Sequence, residues 1–449
     1  YFVVSVLMFL NICIINYQED NNELSVIWLS LYAVVFSMII TPEFGGKRPN
    51  YYMYIFMIIN IIIYLKNMIQ TANRLNSVQE YYFSRKLKEV RQLISEGKPV
   101  INMGIGSPDL SPDKSVIEAI QKAMFDDKAH EYQSYQGLPE LRKGFADFYS
   151  NKFGVNIDYN LEILPLMGSK EGIMHISLAF LNEGDEVLIP NPGYPTYASV
   201  TELVQAKPIY YDLTEENDWQ PNFEHLEQTD LSKVKIMWVS YPHMPTGANA
   251  TLELFEKLIA FGKKHQILII NDNPYSFVLN ENPLSILQID GAKDIALELN
   301  SLSKTYNMAG WRVGMVLGNT KLIDAILKVK SNMDSGMFYG IQKGAIEALK
   351  LDNNWFNHQN EIYTKRRNLI FQLAEKLNCT YSKEAVGMFV WAKLPEGISA
   401  EEFIDNILIK KHIFITPGTI FGSNGNGYIR FSLCVSEEKI EEAIKRFNN

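Results

Sequence analysis

Ser301-Leu-Ser-Lys304-Thr-Tyr-Asn-Met-Ala-Gly310-Trp-Arg312-Val-Gly314 sets one lysine among hydroxyls, with an arginine and two glycines close behind it. A solvated lysine amine is a poor nucleophile, but desolvation or a neighbouring charge turns it into a Schiff-base former. Taken alone, the run reads equally as a basic loop of small residues. Asp272-Asn-Pro-Tyr275 follows directly on the apolar pattern Ile267-Leu-Ile-Ile270, so Asp272 falls where a strand of an open sheet ends and ligands bind. A carboxylate there can grip a cationic ring nitrogen; the plainer alternative is a strand-end Asp that opens a turn.

Three further motifs could bind anions or planar groups. Gly168-Ser169-Lys170 precedes a helical pattern at 171–180, where free backbone N–H groups and the helix dipole can hold a phosphate. It has neither Walker A spacing nor a dinucleotide fingerprint, and a simple helix cap is the alternative. Asn191-Pro-Gly-Tyr194-Pro-Thr-Tyr197 is a stiff turn in which Tyr194 offers an aromatic face, for packing or for stacking on a ring. Arg430 interrupts the apolar run Tyr428-Ile-Arg-Phe-Ser-Leu433. A guanidinium in such a run needs an anionic ligand, such as a carboxylate that fits its fork, or a structural ion pair.

The elements that must position these groups alternate. Ser77-Val-Gln-Glu80 reads as a capping box for a helix whose apolar face is Phe83, Leu87, Val90 and Ile94, ended by Gly97. Strand-like runs at 100–105, 186–189, 209–211, 235–240 and 267–271 are interleaved with helical patterns such as 252–265. Such alternation predicts an α/β fold with a largely parallel sheet, helices on both faces and ligands at the carboxyl ends of the strands. Runs at 388–392, 413–416 and 428–433 between helices predict a smaller α+β unit.

A formal charge of −9 argues against nucleic acid or anionic lipid as the main partner, since both call for a concentrated basic surface. Cys13, Cys379 and Cys434 lie far apart and form no Cys-x-x-Cys pair, which suits a reducing cytoplasm. The histidines form no His-x-x-x-His pair, so no histidine-based metal site is expected.

Residues 1–67 read differently, as three apolar runs broken by polar residues. The middle run, at 24–40, is uncharged and close to the ~17 to 25 residues that a spanning helix needs. No basic residue precedes Lys47, which argues against a secretory signal. The segment is expected to lie outside the fold, as sequence translated ahead of a start near Met68, with a membrane anchor as the alternative.

Taken together and in this order, the motifs resemble the class I/II aminotransferases of the fold type I pyridoxal phosphate (PLP) family, from about Ser77 to Arg446. The resemblance implies a mostly parallel seven-stranded sheet in a large domain at 113–338. An arm at 68–112 would join the smaller domain at 339–449. It implies that Lys304 carries PLP as a Schiff base and shuttles the substrate proton, and that Asp272 pairs with the ring nitrogen. Tyr275 would bond the ring phenolate and Tyr194 stack on the ring, with Gly168, Ser169, Lys170, Ser301 and Arg312 around the phosphate. Arg430 would clamp the substrate α-carboxylate under a loop carrying Gly106, and Tyr132 would reach the phosphate of a second subunit, making a homodimer. The reaction implied is amino transfer between an α-amino acid and a 2-oxo acid; a β-eliminating C–S lyase would share the same lysine, aspartate and arginine and is the nearest rival.

One position departs from the family pattern. At Pro242-His-Met244-Pro-Thr-Gly247 the family usually has Asn where Met244 stands. Methionine cannot donate a hydrogen bond to the phenolate, which predicts a raised pKa for the lysine linkage. Gly168-Ser-Lys-Glu-Gly172 and the Gly104 loop resemble the diaminopimelate-type branch as well as broader ones, so the choice of amino acid stays open at this level.

Overall fold

The computed structural model describes residues 71–76 and 82–448, with backbone alone at 82–85. The chain divides into two units, Tyr1–Asn73 and Arg74–Asn449, and the sheets and the candidate site all belong to the second. The apolar runs before residue 68 and the proposed capping box at 77–80 lie outside the described residues. No helix among the described residues is long and apolar enough to cross a membrane.

A helix at Tyr82–Ser95 opens the unit, and Gly97 leaves it with φ 81°. Val90 of its expected apolar face is buried against Leu408 and Phe414, whereas Ile94 is half exposed at 51%. Strand β1 (Ile101–Asn102) is shorter than the run at 100–105 and pairs in parallel with a later strand, Ile413–Phe414.

The large sheet has seven strands: β2 (Ile163–Leu166), β3 (Glu186–Asn191), β4 (Lys207–Asp212), β5 (Val234–Val239), β6 (Leu268–Asp272), β7 (Ala296–Ser301) and β8 (Gly314–Leu317). Their order is β2-β8-β7-β6-β5-β3-β4. Strands β4, β3, β5, β6 and β7 run parallel, and β8 is antiparallel to both neighbours. Helices cover both faces, as alternation of strand and helix requires. Phe145, Phe148 and Tyr149 of helix Pro139–Phe153 pack on one face with Leu258 of helix Leu252–His265. On the other lie Ile173 and Ile176 of helix Ser169–Phe180 and Ile323 and Ile326 of helix Thr320–Lys330. Thr251 caps helix Leu252–His265 by accepting from the Leu254 N–H at 3.1 Å, an interaction whose loss typically costs ~1 kcal/mol.

Helix Tyr339–Ala348 joins the core of the large sheet through Ala345 and Ala348 and packs along helix Lys114–Ala123. Helix Tyr339–Ala348 follows directly on the boundary expected at residue 338, and the long helix Asn353–Lys376 comes after it. A second core forms around a four-stranded sheet of β9 (Thr380–Tyr381), β10 (Phe389–Lys393), β12 (Thr416–Pro417) and β13 (Tyr428–Ser432), with β11 (Ile413–Phe414) beside it. Trp391, Phe431, Ile370 and Leu373 fill that core.

Candidate active site

Register decides which side chains meet at the ends of the parallel strands. Asp272 is the last residue of β6 and pairs with Leu299 of β7, so Asp272 and Ser301 project from the same sheet face and Asn271 and Glu298 from the other. After Ser301 the chain turns at once into the short helix Leu302–Thr305, which carries Lys304 over the strand ends. The resulting cavity of about 620 Å³ lies between the two sheets.

One end of the cavity is built for an anion. Helix Ser169–Phe180 starts there, and Ser169 and Lys170 line it beside Ser301, Ser303 and Arg312. Gly168, at φ 87°, passes so close beneath the Arg312 guanidinium that a Cβ would stand 2.0 Å from Nη2. Any larger residue would displace the arginine. Ser301 caps its own helix by accepting from Ser303 N–H at 3.0 Å. Free N–H groups at a helix start, hydroxyls and a guanidinium are the donor set a phosphate takes.

In the middle, Asp272 is buried. Its Oδ2 accepts from Tyr197 O–H at 2.9 Å, while Oδ1 is buried without a hydrogen-bond partner among the described residues. Burial pushes the carboxyl up to about 6, against the opposing pull of the Tyr197 hydrogen bond. Tyr197 is held in turn by Trp238, stacked on it at 4.8 Å and 6°, and Tyr194 meets Tyr197 edge-on at 5.5 Å. An acceptor oxygen left open in a buried site costs free energy until a donor arrives, so Asp272 is poised for one.

Lys304 is half-buried, and its Nζ donates to the Gly106 carbonyl. Loss of solvent depresses its amine below the usual lysine range, with Arg430 and Arg312 acting in the same direction and Cys434 opposing. Tyr275 lines the cavity beside it, its ring edge-on to Phe389 at 5.7 Å, and burial pushes its phenol well up.

The opposing wall comes from the small sheet. Arg430 on β13 is buried, with its guanidinium 3.9 Å from the Phe389 ring centroid and 4.7 Å from that of Phe421. Its Nη2 donates to the Gly104 carbonyl at 2.8 Å and its Nη1 lies 3.3 Å from Met244 Sδ. Gly106 is pressed on Phe389, where a Cβ would meet the ring at 2.3 Å.

Of the residues singled out in the sequence, Gly106, Ser169, Lys170, Tyr194 and Asp272 line this cavity, as do Tyr275, Ser301, Lys304, Arg312 and Arg430. Gly168 sits directly behind Arg312. Tyr132 is elsewhere, 91% exposed at the surface. Sequence reasoning missed Ser240, Ser303 and Tyr197 and the walls Leu87, Ile105, Phe389 and Phe421. Only Tyr197 left a signal, as the second aromatic in the turn after Asn191.

The donor set fits PLP. The open Asp272 oxygen would suit a protonated ring nitrogen, the Gly168 cradle and helix start suit a phosphate, and the Lys304 amine shares the cavity with both. Outside the cavity, Glu171, His175 and Asp334 bring ligand atoms within 4.8 Å of one another. The buried Lys330 ammonium, 2.7 Å from Asp334, already supplies a cation to that cluster.

A seven-stranded sheet with a lysine and an aspartate at its parallel strand ends, and an arginine facing them, defines a fold type I PLP-dependent enzyme. Residues 98–447 match the model of the family "Aminotransferase class I and II", and the chain belongs to that family. It is 39% identical to the LL-diaminopimelate aminotransferase of Aquifex aeolicus, over 85% of this chain and 99% of that one. With the enzyme of the same name from Maridesulfovibrio salexigens it shares 40% over 84% and 98%. Among solved structures, BacF of Bacillus subtilis superposes with a TM-score of 0.81 at 34% identity, covering 84% of this chain and 98% of that one. A probable N-succinyldiaminopimelate aminotransferase from Thermus thermophilus gives 0.75 at 31%, over 81% and 98%. The protein is a PLP-dependent aminotransferase acting between an amino acid and a 2-oxo acid.

Proposed function

We propose that the amino donor is LL-diaminopimelate, and that the cavity between Asp272, Lys304 and Arg430 is where its amino group leaves. Supporting the donor is identity of 39% and 40% along 99% and 98% of the length of two relatives that carry this name. The observation that carries the site is the Lys304 amine in one cavity with an open Asp272 oxygen and the Arg430 guanidinium.

When bound, PLP supplies the electron sink for the charge left on the α-carbon as its proton departs. Asp272 would hold the ring nitrogen of PLP and keep it protonated, with Tyr197 fixing the carboxylate at 2.9 Å. Tyr275 would donate to the ring oxygen, and Tyr194 would cover a ring face. Backbone N–H groups of Ser169 and Lys170, the Ser301 hydroxyl and Arg312 would hold the phosphate, with Gly168 leaving room for Arg312. Arg430 orients the donor by its α-carboxylate, stiffened by Phe389 and Phe421, and the Gly106 loop shields the site from water. Lys304 Nζ, with its ammonium form disfavoured by burial, would serve as the base that takes the donor's α-proton.

A homodimer fits the surface around Tyr132. Met124, Phe125, Tyr132, Met333 and Phe338 are all exposed, and their segments touch: Gly336 packs on the Gln133 carbonyl and Gly340 near Met124. Such an apolar patch suits a second copy, to whose phosphate Tyr132 would reach. Two buried free thiols, Cys379 and Cys434, suit a reducing cytoplasm. The domain limits we favour are 113 to about 352 for the large body, with 82–112 and 353–448 around the smaller sheet.

A donor panel with 2-oxoglutarate as acceptor tests the substrate. LL-diaminopimelate should give the highest kcat/KM. Another donor about tenfold better would overturn that choice, and pyruvate with ammonia formed without an acceptor would point to elimination.

A further inference from the structure

Behind the sheet, on the face opposite Asp272, a carboxylate is buried with no cation among the described residues hydrogen-bonded to it. Glu298 of β7 is fully buried. Its Oε1 accepts from Tyr149 O–H at 2.8 Å, and its Oε2 accepts from Asn271 Nδ2 at 3.2 Å and from Ile286 N–H at 3.0 Å.

Two amides are oriented so that donors converge on it. Asn271 Oδ1 accepts from the Tyr241 N–H at 3.0 Å, which turns its NH2 toward Glu298. Asn300 Oδ1 accepts from the Ser301 N–H at 2.7 Å, which turns its NH2 toward the Tyr149 oxygen at 3.1 Å. With that oxygen occupied as acceptor, the Tyr149 proton points to Glu298. A neutral acid would have to place a proton among these donors; the ionised form satisfies them all. Burial pushes the carboxyl up, and its hydrogen bonds pull it back.

The partners are adjacent in sequence to the groups on the working face. Asn271 precedes Asp272, Asn300 precedes Ser301, and Tyr241 starts the loop that reaches Met244. We propose that Glu298 is a positioning residue for the cofactor site, drawing the ends of β5, β6 and β7 together from behind and so fixing Asp272 against Ser301 and Lys304. The proposal rests on the placement of PLP against Asp272 given above. Should the wild-type protein bind no PLP, that placement fails first, whatever Glu298 does.

Glu298→Gln keeps the shape but presents an NH2 to one of the donors. At temperatures well below unfolding it should weaken PLP binding by the apoenzyme about tenfold and lower kcat about tenfold with donor KM nearly unchanged. The induced circular dichroism of bound PLP should change as the ring tilts. Tyr149→Phe, which removes one donor, should move all three readouts the same way by about threefold, and it decides the matter if Glu298→Gln does not fold. A lower melting temperature with wild-type cofactor affinity, kcat and dichroism in the folded variant would mean that Glu298 only holds the core, and would overturn the proposal.

Discussion

The two walls of the cavity are built in different ways. On the large-sheet side, Asp272, Ser301 and Lys304 stand at strand ends or within three residues of one, and Ser169 opens a helix. Their positions follow from backbone hydrogen bonding, with polar neighbours such as Tyr197 and Glu298 tightening the fit. On the small-sheet side, Arg430 sits inside a strand and is held between Phe389 and Phe421, with Gly104 brought from more than 300 residues away. The first wall is a fixed frame suited to a resident cofactor. The second is assembled from distant segments and suits a ligand that comes and goes.

Substitutions on the frame should therefore damage kcat and cofactor binding, and those on the assembled wall should damage substrate KM. Lys304→Ala should have the largest effect, a loss of about 10³-fold or more in turnover with the lysine-dependent absorbance of bound PLP gone. Asp272→Asn should lower kcat by about 10²-fold, because a neutral amide no longer holds the ring nitrogen charged. Arg430→Lys keeps the charge but loses the planar fork, so donor KM should rise about tenfold or more while PLP affinity stays put. If Arg430→Lys instead weakened PLP binding, the division between the walls would be wrong.

Smaller effects probe the tuning of the frame. Asp272 must be ionised to pair with a protonated ring nitrogen, so PLP binding to the apoenzyme should weaken as pH falls through about 6. Tyr197→Phe removes the hydrogen bond that opposes burial and should move this midpoint upward, by on the order of one unit in a titration of affinity against pH. Met244→Asn restores a donor near the ring oxygen and should lower the pKa of the lysine linkage by spectral titration, by about one unit or less.

The same contrast explains what could be read in the sequence. Groups on the frame were legible because each follows a local pattern: Asp272 ends an apolar run, Lys304 follows hydroxyls after a strand, and Ser169 starts a helix. Three strands of the frame were not. β2 contains Pro165 and is tolerated at the sheet edge, while β7 mixes Glu298 and Asn300 with leucine because its polar side chains are satisfied by the network behind the sheet. β8 is four residues long and begins at a glycine pressed on Ser169 N. Arg430 was visible as a charge in an apolar strand. Its stacking on Phe389, its contacts with Met244 and Gly104, and the Tyr197–Asp272 bond join residues far apart in the chain, and only the fold brings them together.

Everything on the frame depends on Lys304 being the residue that holds the cofactor. Borohydride reduction of the PLP-loaded enzyme, followed by peptide mapping, reads this directly. A pyridoxyl label is expected on the peptide containing Lys304 and on no other lysine, Lys170 included. A label at another lysine, or none in an enzyme that retains PLP, would contradict it.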